Sequence, residues 1–302
     1  MDYSLLFEPA ILSQVLVQGL VRGSMYALMA SGLSLIFGIM GVKNFSHGEL
    51  FMIGTYVMFY CTAVLGLPWP VGVAAAALVL LVLGMIIERT LIETLRRRAG
   101  RDWLLDAFVL TIGMLVVLQN LALILFGTER RGVTDLMEGT FVYGAIIVSY
   151  ERIMIVVVAA LVGLGLWAFI RFSAVGKAIR ATAQDPDAAQ TLGIDIRRVY
   201  TYTFGIGAAL AGLAGGLLIS IYPAHPTVGF QPVIKSIACV ILGGLGYVPG
   251  AIIAAFILGI IEAYSAFFMS AGWQNVITPA LVVIILIVRP SGIFSSSKVE
   301  RA

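Results

Sequence analysis

SMYALMASGLSLIFGIMGVKNFSHGELFMIGTY, residues 24–56, is the stretch on which the fold turns. It joins an apolar run at roughly 11–41 to a second at roughly 50–67, with a short polar run between them. About 20 mostly apolar residues cross a bilayer as one helix. The first run is too long for a single straight span and is expected to continue into irregular backbone. The polar run carries Asn44, Ser46, His47 and Glu49, bracketed by Gly41 and Gly48. Charged groups at membrane depth cost roughly 2.5–3.5 kcal/mol on insertion scales, so their presence here needs a reason. Two readings stand side by side. One is a helix break whose freed backbone groups line a cavity. The other is a cytoplasmic turn near Lys43, with Ser46 or Asn44 capping the next helix. A lone histidine such as His47 is more often a hydrogen-bonded structural residue than a proton relay.

Outward from this stretch the apolar pattern repeats at roughly 71–88, 105–126, 153–171, 200–221, 233–246, 250–269 and 274–289. The composition agrees: 60% hydrophobic, 12% charged and 33 glycines in 302 residues, with a mean hydropathy of +1.03. Soluble domains run near 45–50% apolar and about 25% charged, so this surface must face lipid. A soluble enzyme, a disulfide scaffold and a disordered chain are excluded. The expected fold is all-α and polytopic, with eight or nine spans depending on whether the short 233–246 run is re-entrant. Closed barrels do not suit runs this long. Cys61 and Cys239 lie in apolar runs and read as packed thiols. The opening MDYSLLFEPA lacks a basic region, so a cleaved signal peptide is not expected.

The basic residues orient the spans. Lys43, the group Arg89, Arg96, Arg97, Arg98 and Arg101, the group Arg171, Lys177, Arg180, Arg197 and Arg198, and Arg289, Lys298 and Arg301 place 14 of 19 on one face. The positive-inside rule assigns that face to the cytoplasm, leaving the N-terminus outside and the C-terminus inside. The other face holds Arg130, Arg131 and Arg152, diluted by Glu129, Asp135, Glu138 and Glu151. A second glycine cluster, Gly243, Gly244 and Gly246, followed by Pro249-Gly250, resembles the first break. Paired breaks of this kind point to an inverted-repeat transporter with its pathway at the repeat interface; plain close packing of helices is the alternative. Both breaks are expected to be non-helical and to approach one another. The pathway candidates are Asn44, Ser46, His47, Gly48, Glu49, Gly243, Gly244 and Gly246. Glu262, inside an apolar span beside Tyr264, either faces the interior or snorkels.

The longest informative polar stretch lies at about 172–199, within FSAVGKAIRATAQDPDAAQTLGIDIRRVY. Asp185 before Pro186 reads as an N-cap followed by the first helical residue, and Gly193 suits a C-terminal cap. The short helix between them is small-surfaced, which fits docking in a groove on another protein as well as an ordinary solvated loop. No Gly-x-x-x-x-Gly-Lys-Ser/Thr occurs, so ATP phosphates are not cradled by this chain. No nucleophile–base pair or metal-ligand spacing stands out either.

Asp187-Ala188-Ala189-x-x-x-Gly193 resembles the EAA loop of ABC-transporter permeases, with aspartate in place of glutamate and the later Ile-x-Leu-Pro absent. Together with residues 24–56, FGIGAALAGLAGGLL and VILGGLGYVPGAIIAAFILGIIEA, it resembles the LivH-type permeases of the branched-chain amino acid ABC transporter family along nearly the whole chain. The resemblance implies one permease domain over 1–302 in a bacterial inner membrane. It implies transport of branched-chain or related hydrophobic amino acids, and within the same family urea, amides or small aromatic acids. It further implies a second permease subunit, two ATPase subunits that hold ATP and Mg, and a soluble substrate-binding protein. Arg180, Asp185, Asp187, Ala188, Ala189 and Gly193 become the residues expected to couple to the ATPase, with Ala188 and Ala189 against its surface. An ATP-independent secondary transporter is the reading outside the ABC class.

Overall fold

The computed structural model describes residues 8–98, 103–134, 136–143, 146–270 and 272–294. Arg101, Asp135, Lys298 and Arg301, and the first seven residues, lie outside the described residues. The architecture is a helical bundle. The first apolar run forms α1 (Pro9–Met40), 32 residues and therefore about 48 Å long. It stays helical throughout and does not turn irregular within the run. Irregular backbone begins only at Gly41, whose left-handed φ of 69° ends the helix with its N–H on the Phe37 carbonyl at 2.8 Å. After residues 41–46 the chain re-enters a helix, α2 (His47–Phe59), which passes into a π-helical turn at Tyr60–Val64.

Proline starts α3 (Trp69–Ile87), which runs through another π-helical turn into α4 (Glu93–Arg98). Next come α5 (Trp103–Phe126), α6 (Tyr150–Phe172), α7 (Ala174–Gln184), α8 (Pro186–Thr191) and α9 (Ile196–Leu217). The last three are α10 (Phe230–Gly243), α11 (Val248–Phe268) and α12 (Trp273–Val288). Among the described residues, five helical stretches are long and apolar enough to cross a membrane: α1, α3 through α4, α5, α6 and α11. α10 and α12 are apolar but shorter.

The all-helical expectation needs one correction. The polar loop before α6 holds an antiparallel hairpin, β1 (Thr140–Tyr143) and β2 (Ile146–Ser149), with Phe141 opposite Val148. Its β-branched and aromatic residues suit paired strands. The Gln14 side chain pairs with it like a strand backbone, donating to the Ile147 carbonyl at 2.7 Å and accepting from the Ile147 N–H at 3.0 Å. From the same loop Arg131 exchanges backbone hydrogen bonds of 2.9 and 2.8 Å with Ala224, which lies between α9 and α10.

The core is built on glycines. A Cβ at Gly23 would stand 2.7–2.8 Å from Phe256, and one at Gly19 would stand 2.7 Å from the Ile260 Cα, so α1 and α11 pack backbone to backbone. α9 is held as closely against α3: a Cβ at Gly205 would meet Met85 at 2.8 Å, and one at Gly212 would meet Leu80. α1 crosses α9 where Gly32 faces Gly207. Such small-residue contacts are how helices associate in lipid, where apolar burial alone gives no preference for protein over solvent. α1 is the most enclosed of the long apolar helices, and α5 and α6 are the least.

These contacts also sort the connections by end. The end of α1, the start of α5, α4, the start of α9 and α7 lie together. A Cβ at Gly41 would meet the Leu104 side chain at 3.3 Å, and Glu93 on α4 pairs with Arg197 on α9. The hairpin and residues near Arg131 gather with the start of α1 and Ala224 at the other end.

Candidate functional site

Residues 172–199 fold as two short helices and a turn. Ser173 Oγ accepts the Gly176 N–H at 2.8 Å and starts α7, which buries Gly176, Ile179 and Thr182. A Cβ at Gly176 would collide with the Phe169 and Ile170 carbonyls, so α7 leaves α6 through a tight corner. Asp185 Oδ1 accepts the N–H groups of Asp187 and Ala188 at 2.9 and 3.0 Å, an N-cap ahead of Pro186 in the first turn of α8. Gly193 sits at φ 85°, with its N–H on the Gln190 carbonyl and that of Ile194 on the Ala189 carbonyl. This is a left-handed C-terminal closure that glycine adopts without Cβ strain.

Exposure divides the helix differently from the sequence expectation. Asp187 and Ala188 are exposed, whereas Ala189 is buried at 2% and packs inward. Ala189 is therefore removed from the outward surface. In its place stands Leu192, a large apolar side chain 82% exposed at the end of α8. Arg180 donates to the Ile170 carbonyl at the end of α6. Behind the loop, Glu93 pairs with Arg97 at 2.7 Å and with Arg197, and Arg96 stacks over the Tyr200 ring at 4.5 Å. Buried Glu88 accepts from Thr201 at 2.7 Å. These acids carry α9, and with it the loop, on α3 and α4.

The polar run after α1 is enclosed, and its side chains diverge. His47, Gly48 and Glu49 form the first turn of α2, so the non-helical stretch is residues 41–46. Neither Ser46 nor Asn44 caps α2 with its side chain; Ser46 Oγ donates to Asn44 Oδ1 at 2.7 Å. His47 turns toward α1, its Nε2 3.2 Å from the Met29 carbonyl. Glu49 turns toward α5, where Gln119 donates to Oε1 at 3.0 Å. Buried Asn44 Nδ2, His47 Nδ1 and Glu49 Oε2 have no hydrogen-bond partner. Gly48 faces Gly229, the residue before α10, so closely that a Cβ on either would overlap the other's carbonyl.

The second glycine cluster lies at the opposite end of α10, about 20 Å away at 1.5 Å per residue. Gly243 is the last helical residue and packs on Gly250; Gly244 (φ 105°) lies against Gly292, and Gly246 (φ 82°) against Gly38. Gly48 and Gly243 therefore stand at opposite ends of α10, while the second cluster comes up to Gly38, one turn before the Gly41 that opens the first break.

Two cations, Arg22 and Lys235, stand inside apolar runs, where no local motif assigns them a role. Lys235 is buried and donates to Glu262, to Thr278 Oγ1 at 2.8 Å and to the Gln274 carbonyl at 2.7 Å. Glu262, fully buried, also accepts from Tyr26 at 2.7 Å and from Thr278. Glu262 therefore faces the interior, in a cluster joining α1, α10, α11 and α12. Tyr264 is not part of it and donates to the Leu12 carbonyl. The only sequence signal for the pair is a lysine and a glutamate inside runs otherwise free of charge. Among the described residues no three His, Cys, Asp or Glu side chains converge as a metal site.

Residues 15–287 match the family described as "Branched-chain amino acid transport system / permease component". The chain is 36% identical to the high-affinity branched-chain amino acid transport system permease protein BraD of Pseudomonas aeruginosa, over 95% of this chain and 97% of that protein. Its similarity to the corresponding LivH protein of Escherichia coli K12 has the same identity and coverage. A probable LivH of Methanocaldococcus jannaschii is 26% identical over 92% of this chain and 91% of its own length. No solved structure matches.

Proposed function

Because the chain belongs to the branched-chain amino acid transport permease family, we propose that it forms the membrane pathway of an ATP-driven importer of branched-chain or related hydrophobic amino acids. The observation that carries this reading is the end-to-end match to relatives so named. Its partners in that reading are a second permease subunit, two ATPase subunits holding ATP and Mg, and a soluble binding protein that delivers substrate. The basic end of the bundle faces the cytoplasm, and the hairpin end faces the binding protein.

Coupling is assigned to α8. Asp185 and Gly193 fix its two ends, Asp187 and Ala188 lie open, and Leu192 offers an apolar knob to a groove on the ATPase. Movement of that knob is transmitted through α7 and α9 to the helices they adjoin. Alternating access is supported by a pairing that repeats within the chain. α1 packs on α11 as α9 packs on α3, Gly32 faces Gly207, and the short helices α2 and α10 begin where Gly48 touches Gly229. Exchanging α1, α2 and α3 for α9, α10 and α11 preserves these contacts, as an inverted repeat would. Rocking of the halves about the Gly48–Gly229 contact opens one side of the pathway and then the other. The unpartnered atoms of Asn44, His47 and Glu49 supply polar groups beside that axis.

The test is uptake into proteoliposomes holding the whole complex and its binding protein. ATP-dependent uptake of leucine, isoleucine or valine is expected. Uptake of urea or an amide with none of the three would overturn the substrate class, and uptake without ATPase subunits would overturn the importer.

A further inference from the structure

α6 packs on α1 and leaves an open groove of about 1060 Å³ along the flank of α1, between α6 and α11. Its walls are apolar: Leu35 of α1, Gly163 and Leu164 of α6, and Ile252 and Phe256 of α11 are representative. The volume is at the upper end of the roughly 300–1,000 Å³ of small-molecule sites. No acidic residue lines it. At one end only, where α6 finishes and α7 begins, two guanidinium groups enter the lining, Arg171 and Arg180.

Both are partly fixed from behind. Arg171 lies 5.1 Å from the Trp167 ring centroid and 5.6 Å from that of Phe172. Arg180 spends one nitrogen on the Ile170 carbonyl, leaving its other donors for a ligand. Arg171 is at the end of a helix long and apolar enough to cross the membrane, so the cations sit at the bilayer boundary while the slot descends beside the hydrocarbon.

An occupant must therefore be anionic at one end and apolar for the rest of its length. A helix of another subunit supplies the second property without the first, and a free anion the first without the second. We propose that the groove is a binding site for an anionic phospholipid, its phosphate on Arg171 and Arg180 and its acyl chains in the slot between α6 and α11. Basic pockets between membrane helices on a cytoplasmic side recognise lipid headgroups by this division of labour. The bound lipid would tie α6 to α7, and so steady the loop that carries α8.

Native mass spectrometry of the purified complex, titrated with phosphatidylglycerol or phosphatidylcholine, tests the site. Selective retention of phosphatidylglycerol is expected. Arg171→Gln with Arg180→Gln should weaken it about thirtyfold, the loss of two interfacial basic charges. Gly163→Phe should also abolish retention while keeping both arginines, since a Cβ there meets nothing within 4 Å and the ring can fill the slot without disturbing the helix. Co-purification of the ATPase subunits checks that each variant is assembled. Equal retention of both lipids, or retention unchanged in both variants, would overturn the proposal. So would a cysteine at position 163 that cross-links to the second permease subunit, which would make the groove a protein interface.

Discussion

Lys235 and Glu262 show what one charge pair does inside an apolar bundle. Each has given up water, and each is compensated by the other and by Tyr26, Thr278 and the Gln274 carbonyl. Removing one partner strands the other, which typically costs about 3–5 kcal/mol, while replacing both with apolar residues is often neutral. Glu262→Leu should therefore lower the thermal unfolding temperature of the purified protein sharply, and Lys235→Met with Glu262→Leu should recover most of the loss. A double variant as unstable as the single would show that the cluster acts through Tyr26 and Thr278 instead. Glycine contacts give a second prediction at this scale. Gly229→Ala should abolish transport, because its methyl group would overlap the Gly48 carbonyl, whereas Gly165→Ala, with open space at its Cβ, should leave uptake within about twofold. Glu262 was visible in the sequence as a charge in an apolar span. Lys235 stands out in the same way, but their pairing does not, because 27 residues and a change of helix separate the two, and no local period links them.

At the scale of the element, α8 is the case where sequence chemistry and geometry agree on the ends and part on the face. Asp185, Pro186 and Gly193 are read from residue type alone, since capping is local backbone chemistry. Which side of a six-residue helix looks outward depends on what lies beneath it, and α8 turns Ala189 inward and leaves Leu192 outside. Leu192→Asp should leave the permease in the membrane and lower transport and substrate-stimulated ATP hydrolysis together by an order of magnitude, the scale of one lost interface anchor. Gly193→Val should do the same by another route. Its Cβ meets nothing nearby, so the cost is conformational, about 1–2 kcal/mol for a side chain in the left-handed region. Full transport by both variants, with the ATPase still bound, would remove α8 from the coupling path. The β hairpin escaped the sequence reading for a different reason. Its strands are four residues each, too short for an alternating pattern to stand out from the charged residues around them.

For the whole molecule, the apolar runs carried most of the fold, because helix formation in lipid is dictated by unsatisfied backbone groups. Each apolar run of the sequence overlaps a helix of the structure. What the runs could not give is which helices pair, since the glycines that decide it look alike in sequence and differ only in what they face. The two ends of the bundle are a property of the whole chain and make the last prediction. Gln184 lies at the end that gathers Arg96, Arg180 and Arg197, and Glu138 lies beside the hairpin at the end that holds Gln14. The excess of basic residues assigns the first end to the cytoplasm. With Cys61 and Cys239 replaced, a membrane-impermeant maleimide applied to intact cells should label Glu138→Cys and spare Gln184→Cys, and inside-out vesicles should reverse the pattern. Both faces must change together, because α8 can reach an ATPase subunit only if residue 184 is inside. Labelling of Gln184→Cys from outside would invert the bundle, and it would take the coupling role of α8 with it.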